Sequence, residues 1–139
     1  MEDLDYKMQK KATEDQLNNR EKLNKLFESS PMPIDHKMIN LGLYMRSSVL
    51  SKTLYINELY EMIVDLPGSI MEFGSWYGTN LALFESLRAI YDPYNYTRKV
   101  IGFDTYDGYD NISEEDGKND LVKEGQYNTP DNYIDYLGQ

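Results

Sequence analysis

The first half of the chain has the apolar spacing of helices. Residues 3–29 are rich in charged and amide side chains and carry only a thin apolar stripe, which predicts a helix that lies on a surface. Pro31 and Pro33 end this helix and form a linker. In residues 48–66, leucine, isoleucine and tyrosine recur at three- and four-residue spacing, which predicts a second helix that ends before Pro67.

A strand, a helix and a second strand follow in close succession. Residues 69–73 and 99–103 are short apolar runs next to turn residues, so both predict buried strands. Residues 80–91, between them, return to helical spacing with a wide apolar face. Such an order is typical of a right-handed β-α-β unit with parallel strands, so we expect an α/β fold. Thr129, followed by proline, predicts the N-cap of a further helix.

The composition excludes several classes of protein. Apolar residues make up 40% and charged residues 27%, which is ordinary for a globular chain. The sequence has no cysteine, no apolar run long enough for a membrane span and no signal segment at its N-terminus, so we expect a cytoplasmic protein. The net charge is −10, and ten acids against two lysines follow from Asp104 onwards. This charge disfavours binding to nucleic acid or to an anionic membrane.

The single histidine restricts metal and nucleophilic chemistry. Because there is no cysteine, a zinc site would need His36 together with carboxylates alone, and a serine–histidine–aspartate relay would need the same residue. His36 lies in a segment punctuated by prolines, so we interpret it as an exposed loop residue. We therefore predict no metal site in this sequence and assign no catalytic residue.

The turn from Glu72 to Asn80, with the sequence EFGSWYGTN, carries the candidate chemistry. Gly74 directly after the strand permits a sharp reversal, and Gly78 lets the helix begin close to strand and ligand. Parallel sheets bind ligands at the carboxyl ends of their strands, where this turn is expected. A dinucleotide fingerprint needs a small residue at the position of Trp76, so the indole disfavours nicotinamide cofactors.

Two carboxylates at strand ends favour S-adenosylmethionine as the ligand. Glu72 would oppose phosphates but can pair with the ammonium group of a methionine moiety. Asp104, at the tip of the second strand, can accept hydrogen bonds from both hydroxyls of an adenosine ribose. It lies further from Gly74 than the roughly 20 residues of the dinucleotide pattern, because a long helix and loop intervene.

The string IMEFGSWYGTNLALFESLRAIYDPYNYTRKVIGFDTYDGY resembles the N-terminal half of the macrocin-type sugar O-methyltransferases. Members of that family are class I enzymes that use S-adenosylmethionine to methylate deoxyhexose or related hydroxyls. The pairing of E-x-G-x-x-x-G-x-N with F-D-T-Y-D-G-Y is more specific than a lone glycine turn. The resemblance implies an incomplete Rossmann-like methyltransferase fold, with the first β-α-β unit and the helices before it. Residues 1–30 would be a polar helix, and residues 31–139 the N-terminal portion of the methyltransferase domain.

The resemblance also implies that the turn after the first strand binds the cofactor. Glu72, Gly74 and Gly78 would belong to the cofactor motif, and Asn80 to the start of its helix. Ser75 completes the set of candidate contacts in this turn.

The remaining candidate contacts lie outside that turn. Asp104 would bind the ribose, while Thr105, Tyr106 and Gly108 would shape the adenine side. Arg46 matches an arginine that precedes the first strand in similar sequences, and it could pair with the methionine carboxylate. An ordinary surface arginine is the alternative.

Full members of that family are longer than this chain. The additional part would supply further strands, the base and, in metal-dependent members, the aspartates that bind Mg²⁺, and none of these ligands is present here. The leading hypothesis is therefore an S-adenosylmethionine-dependent sugar O-methyltransferase that lacks its catalytic half. The alternative is a truncated, non-catalytic module for cofactor binding or protein interaction, and Trp76 and Glu72 disfavour a third option, an NAD-dependent reductase.

The implied fold makes a prediction about stability. Its first strand lies near the centre of the sheet, so residues 70–73 would present an unpaired apolar edge without a further strand. We predict that the chain alone is marginally stable, forms a homo-oligomer, or is completed by another polypeptide. Thermal unfolding and sedimentation test this, and a sharp, cooperative transition from a demonstrated monomer would contradict it.

Overall fold

The computed structural model describes residues 12–109, 112, 113 and 124–137. These residues form two compact units, divided between Tyr55 and Ile56. Within the described ranges, every helix is too short or too polar to cross a membrane. The elements in chain order are α1 (Glu14–Glu28), α2 (Ile34–Ile39), a 3-10 helix (Leu41–Tyr44), α3 (Ser47–Glu61), β1 (Ile70–Phe73), α4 (Thr79–Tyr91), β2 (Val100–Phe103) and α5 (Tyr133–Leu137).

The N-terminal unit is built around α1. Thr13 caps this helix, and its side chain and that of Gln16 hydrogen-bond reciprocally to each other's backbone N–H. Phe27, near the end of α1, meets the ring of Tyr44 edge to face with centroids 5.0 Å apart. Lys37 lies 4.9 Å from the Phe27 ring centroid and donates a hydrogen bond to its carbonyl. The side chain of Phe27 thus joins three segments of the unit.

Some predicted boundaries in this half of the chain were wrong. The helix predicted over 3–29 begins at Glu14 in the described residues, and residues 3–11 lie outside them. His36 is exposed, as expected, but it lies in α2 rather than in a loop. The helix predicted over 48–66 ends at Glu61. The predicted domain boundary at residue 30 stays a prediction.

The predicted strand–helix–strand order is confirmed. β1 and β2 are parallel, with Ile70 opposite Val100 and Phe73 opposite Phe103. Each strand begins one residue later than predicted. A Cβ on Gly102 would lie 2.4 Å from a methyl carbon of Leu81, so this glycine allows α4 to pack directly on β2. The described residues thus contain a small α/β layer with two strands.

The other face of the sheet is open. The Phe73 side chain is 76% exposed, and its ring stacks on that of Phe103 with centroids 4.8 Å apart. Met71 on the same face is also exposed. Within the described part of the chain, the sheet has two strands only, so β1 has no neighbour opposite β2. The expected apolar edge is therefore present in the described residues, whereas association through it stays a prediction.

A small core joins α3 to α4. Ile56 and Tyr60 of α3 are buried together with Leu87 of α4, and Ile70 of β1 packs against them. The Tyr60 ring also stacks on that of Tyr91 at 5.9 Å between centroids. Burial of these side chains is the main source of stability in this unit.

Arg98 is a buried charge that holds the end of α3. Only 2% of this residue is exposed, and its Nε donates to Asp92 at 2.8 Å. The Tyr60 hydroxyl donates to the other oxygen of Asp92. Burial and this hydrogen bond raise the pKa of Tyr60 to about 12. The guanidinium also donates to three backbone carbonyls that follow the last turn of α3, those of Ile63, Val64 and Leu66.

The Asp92 carboxylate is stabilised in its charged form. Burial by itself raises the pKa of Asp92, but hydrogen bonds from Tyr60, Arg98 and Asn95 outweigh it and hold the pKa below its usual value. Because this folded-state pKa is depressed, the stabilisation is present at neutral pH and is lost as the pH falls through it. The ion pair between Asp92 and Arg98 therefore stabilises the fold at neutral pH, and this stabilisation is lost at acidic pH.

Arg98→Ala should lower the free energy of unfolding by about 3–5 kcal/mol, because Asp92 would stay buried without its counter-charge. Arg88→Ala is the matched control, since Arg88 pairs with Glu85 at the surface of α4 and should contribute at most about 1 kcal/mol. Urea unfolding of both variants at neutral pH measures the difference. Equal effects of the two substitutions would contradict the stabilising role of the buried Arg98–Asp92 pair.

Candidate functional site

All the candidate residues except Arg46 lie at the carboxyl ends of β1 and β2. Gly74 has a φ of 81° and its N–H donates to the Phe103 carbonyl at 2.8 Å, so the ladder extends one residue past β1 before the chain reverses. Gly78 has a φ of 71° and is the N-cap of α4, without a side-chain capping bond. Both positions are in the left-handed region, where a side chain adds strain. No side chain caps the first turn of α4, so its first N–H groups need an acceptor from elsewhere.

A cluster of polar atoms with unsatisfied hydrogen bonds lies at the same turn. The Asn80 amide donates to one carboxylate oxygen of Glu72. The second oxygen of Glu72, the amide oxygen of Asn80 and the hydroxyl of Ser75 are buried and have no hydrogen-bond partner among the described residues. Since buried polar groups are nearly always hydrogen-bonded, three such atoms at one turn indicate a place for a polar ligand.

Asp104 joins the turn after β1 to the turn after β2. One of its carboxylate oxygens accepts from the Trp76 N–H at 2.7 Å, and the other accepts from the Tyr106 N–H at 2.7 Å. Trp76 has a φ of 48° and Tyr106 a φ of 64°, conformations that cost about 1–3 kcal/mol each for residues with side chains. Hydrogen bonds to Asp104 compensate this strain. Its carboxylate oxygens keep lone pairs for further donors.

Residues 124–129, here called the strap, form the outer wall of the site. The Tyr109 N–H donates to the Gln126 carbonyl at 2.9 Å, and the Gly125 N–H donates to the Tyr109 carbonyl at 2.8 Å. A Cβ on Gly108 would lie 2.3 Å from the Gln126 carbonyl oxygen, so only glycine lets the strap lie this close.

The predicted N-cap role of Thr129 was wrong. Its N–H and its hydroxyl both donate to the Tyr106 carbonyl, at 2.9 and 3.2 Å, and α5 begins only at Tyr133. The tertiary contact with Tyr106 outcompetes the local cap because Thr129 is buried against the turn after β2. Thr129 therefore anchors the end of the strap.

Two cavities meet at Gly74 and Asp104. The first has a volume of about 320 Å³ and is lined by Gly74, Trp76, Asp104, Gly108, Tyr109 and Tyr127. The second, of about 610 Å³, is lined by Phe73, Gly74, Gly102, Phe103, Asp104, Thr105 and Tyr106. A ligand laid over Gly74 could enter both. The aromatic lining by Tyr109 and Tyr127 was missed from the sequence, because nothing local marks these tyrosines as part of a site.

Thr105 and Arg46 differ from the other candidates. Thr105 is exposed, and its hydroxyl donates to the Gly108 carbonyl at 3.3 Å. Arg46 belongs to the N-terminal unit, where its side chain is exposed and its carbonyl accepts hydrogen bonds from the first turn of α3. A contact between Arg46 and a ligand stays a prediction.

In the described ranges, no three His, Asp or Glu side chains are grouped so that they could hold a metal ion.

Comparison with known proteins identifies the fold. No protein-family model and no curated protein matches the chain. The solved structure of CalS11, a calicheamicin methyltransferase, matches with a TM-score of 0.87 and 33% identity, over 91% of this chain and 49% of that one. The described chain has the fold of part of a methyltransferase.

A second structure supports this likeness. It is the apo form of CalS11, described as a TDP-rhamnose 3'-O-methyltransferase in calicheamicin biosynthesis, with a TM-score of 0.73 and 31% identity over 91% of this chain and 46% of that one. The chain thus spans about half the length of the structures it matches. The similarity to sugar O-methyltransferases inferred from the sequence is confirmed, whereas membership of the macrocin-type family stays an interpretation.

α5 packs against the turn between β1 and α4. The Tyr133 hydroxyl donates to the Tyr77 carbonyl at 2.8 Å, and the two rings meet edge to face at 4.9 Å. Burial raises the pKa of Tyr133, so the hydroxyl stays protonated and able to donate. A Cβ on Gly78 would be 3.7 Å from a methyl carbon of Leu137, so α5 also packs at the start of α4.

Tyr133→Phe should loosen the turn, because it removes the hydrogen bond to Tyr77 and keeps the ring. We expect the free energy of unfolding to fall by about 1 kcal/mol. The fluorescence of Trp76, the single tryptophan of the chain, should shift to longer wavelength as water reaches the turn. Tyr136→Phe is the control, since that tyrosine lies on α5 but is exposed. An unchanged spectrum in Tyr133→Phe would refute the supporting role.

Proposed function

We propose that this chain binds S-adenosylmethionine at the turn from Glu72 to Asn80, as the cofactor-binding part of a sugar O-methyltransferase. The observation that carries the proposal is the cluster of unsatisfied polar atoms at this turn, on Glu72, Ser75 and Asn80. Its position in a fold shared with a sugar methyltransferase supports the same ligand. These residues fit the cofactor, because its methionine end carries both hydrogen-bond donors and acceptors.

The methionine end of the cofactor fits the Glu72 side of the site. The second oxygen of Glu72 can accept from the ammonium group, while Asn80 holds the first oxygen in place. The first turn of α4, which has no side-chain cap, can donate backbone N–H groups to the carboxylate. Arg46 is proposed as a second partner of that carboxylate.

The adenosine end fits the Asp104 side. Asp104 keeps lone pairs for the ribose hydroxyls after it has accepted from Trp76 and Tyr106. Thr105, Tyr106 and Gly108 would border the adenine, and the larger cavity, which is lined by Thr105 and Tyr106, offers the space. Gly74 would lie under the middle of the ligand.

When bound, S-adenosylmethionine would supply an electrophilic methyl group. The role of this chain would be to hold that donor in position. Holding the donor in a fixed orientation lowers the entropic barrier to transfer onto a hydroxyl. We assign no base and no Mg²⁺ ligand to the described residues, and Mg²⁺ dependence is a proposal about the remainder of a full-length relative. The donor and a sugar acceptor are the proposed small-molecule partners, in the cytoplasm.

The acceptor is proposed to be a hydroxyl of a deoxyhexose, by likeness to CalS11, which is described as acting on TDP-rhamnose. Both cavities are lined by Asp104 and by no lysine or arginine among the described residues. A diphosphate would be poorly stabilised there. We therefore place any negatively charged group of the acceptor, such as a diphosphate, outside these two cavities.

A non-catalytic cofactor-binding module is the second candidate function. The unsatisfied polar atoms on Glu72, Ser75 and Asn80 support this candidate as well, because it requires binding of the donor alone. Such a module would bind the methyl donor without transferring its methyl group, whether or not a complementing polypeptide is present. A methyl-transfer assay on the chain alone, with and without the C-terminal half of a similar enzyme, separates the two candidates.

Glu72→Gln should weaken binding of S-adenosylhomocysteine about tenfold or more, because a charge-assisted hydrogen bond to the ligand's ammonium group would be lost. The substitution keeps an oxygen that can accept from Asn80. Calorimetric titration with 5'-methylthioadenosine is the internal control, since this ligand has no ammonium group and its affinity should not change.

Three results would count against the proposal. Wild-type chain that binds neither ligand contradicts cofactor binding as such. An unchanged affinity of Glu72→Gln for S-adenosylhomocysteine contradicts the contact with the ammonium group. An equal loss for both ligands would mean that the substitution disturbs the turn rather than a ligand contact.

A further inference from the structure

Three aromatic rings form a box in the smaller cavity. The Tyr127 ring lies nearly perpendicular to that of Trp76, with an interplanar angle of 87° and centroids 5.8 Å apart. It is also perpendicular to the ring of Tyr109, at 89° and 5.6 Å. All three residues line the cavity of about 320 Å³. The Tyr127 ring is therefore perpendicular to both of the other rings, and all three residues line one space.

A carboxylate borders the same space. Asp104 lines the cavity together with the rings, and no lysine or arginine among the described residues does so. The faces of aromatic rings carry partial negative charge and attract cations, above all weakly hydrated, alkylated ones. Perpendicular rings that line one space can present their faces to a compact cation from more than one side. Both the charge and the ring geometry therefore favour an alkylated cation.

Backbone contacts hold the segments that carry the box. Backbone hydrogen bonds fasten the strap to Tyr106 and Tyr109, and the Trp76 N–H is held by Asp104. Tyr127 has a φ of 68°, a strained conformation that these contacts maintain. Because these contacts restrict the segments that carry the rings, a cation that enters loses little affinity to their ordering.

We propose that Trp76, Tyr109 and Tyr127 form a subsite for the sulfonium centre of S-adenosylmethionine, with Asp104 as the neighbouring negative charge. The inference rests on the proposed cofactor. The subsite attracts the positively charged methyl donor and loses most of this attraction once the sulfur is the neutral thioether of S-adenosylhomocysteine. It thus favours loading of the donor and release of the product.

The test compares affinities for the charged and the neutral ligand. Wild-type chain is titrated with S-adenosylmethionine, with S-adenosylhomocysteine and with sinefungin, which carries an ammonium group in place of the sulfonium. Calorimetry and quenching of Trp76 fluorescence both report binding. We expect the two cations to bind about tenfold more tightly than S-adenosylhomocysteine.

Substitutions at Tyr127 separate the rings from the carboxylate. Tyr127→Leu keeps an apolar side chain but removes the ring, and it should reduce the preference for the cations at least threefold while affinity for S-adenosylhomocysteine changes little. Tyr127→Phe retains the ring and should restore the preference. Tyr94→Leu, at an exposed tyrosine that does not line the cavity among the described residues, is the matched control.

The outcomes distinguish this inference from the proposed function. If wild-type chain binds none of the three ligands, the proposed function fails, and the inference with it. If it binds all three equally, or if Tyr127→Leu keeps the full preference for the cations, the subsite is wrong while cofactor binding stands. If Tyr127→Leu weakens all three ligands equally, the box recognises another part of the ligand and the inference is overturned.

Discussion

The carboxylate of Asp104 is the point on which the candidate site depends. It accepts one backbone hydrogen bond from the turn after β1 and one from the turn after β2, and both donors have left-handed backbone conformations. Parallel pairing brings the two strand ends together, but it does not determine how the following turns meet. Asp104 does so, because each of its oxygens holds one turn. Any ligand contact that Asp104 makes therefore depends on a side chain already oriented by the protein.

A buried ion pair, Arg98 with Asp92, has a similar structural role at the opposite end of the unit. Arg98 pairs with Asp92 and donates to the carbonyls after α3, so that the loop between α4 and β2 is tied to the end of that helix. This network sets where β2 begins, and Asp104 lies directly after its last residue. Breaking a buried pair leaves an unpaired charge and is strongly destabilising. The site at one end of β2 is thus supported by an ion pair at its other end.

The sequence was sufficient to predict the β-α-β unit and to place most of the candidate residues at one edge of its sheet. Apolar spacing and the glycines at 74 and 78 are local signals, and the structure has the strands and helix within one or two residues of the predicted bounds. Thr129 shows where local signals fail, since a contact with Tyr106 overrides its capping pattern. Arg98 was likewise missed, because burial of an arginine depends on partners that lie far away in the sequence.

The aromatic part of the site could not be predicted for a related reason. The conformations of Trp76, Tyr106 and Tyr127 are unfavourable for residues with side chains, and only tertiary hydrogen bonds and packing maintain them. No spacing rule along the chain would bring Tyr109 and Tyr127 to the same cavity as Trp76. Their positions follow from the strap, whose contact with the turn after β2 requires the absence of a side chain at Gly108.

The open face of the sheet and the candidate site differ in the contacts that shape them. Phe73 and Met71 are exposed on a face that would be covered in a larger α/β sheet. The contacts that build the site, in contrast, all lie between β1 and α5 within the described residues. Phe73 and Phe103 also line the larger cavity, so whatever packs on the open face borders the candidate site as well. The hydrogen bonds that shape the candidate site, however, involve Asp104, the strap and α5 rather than residues of that face.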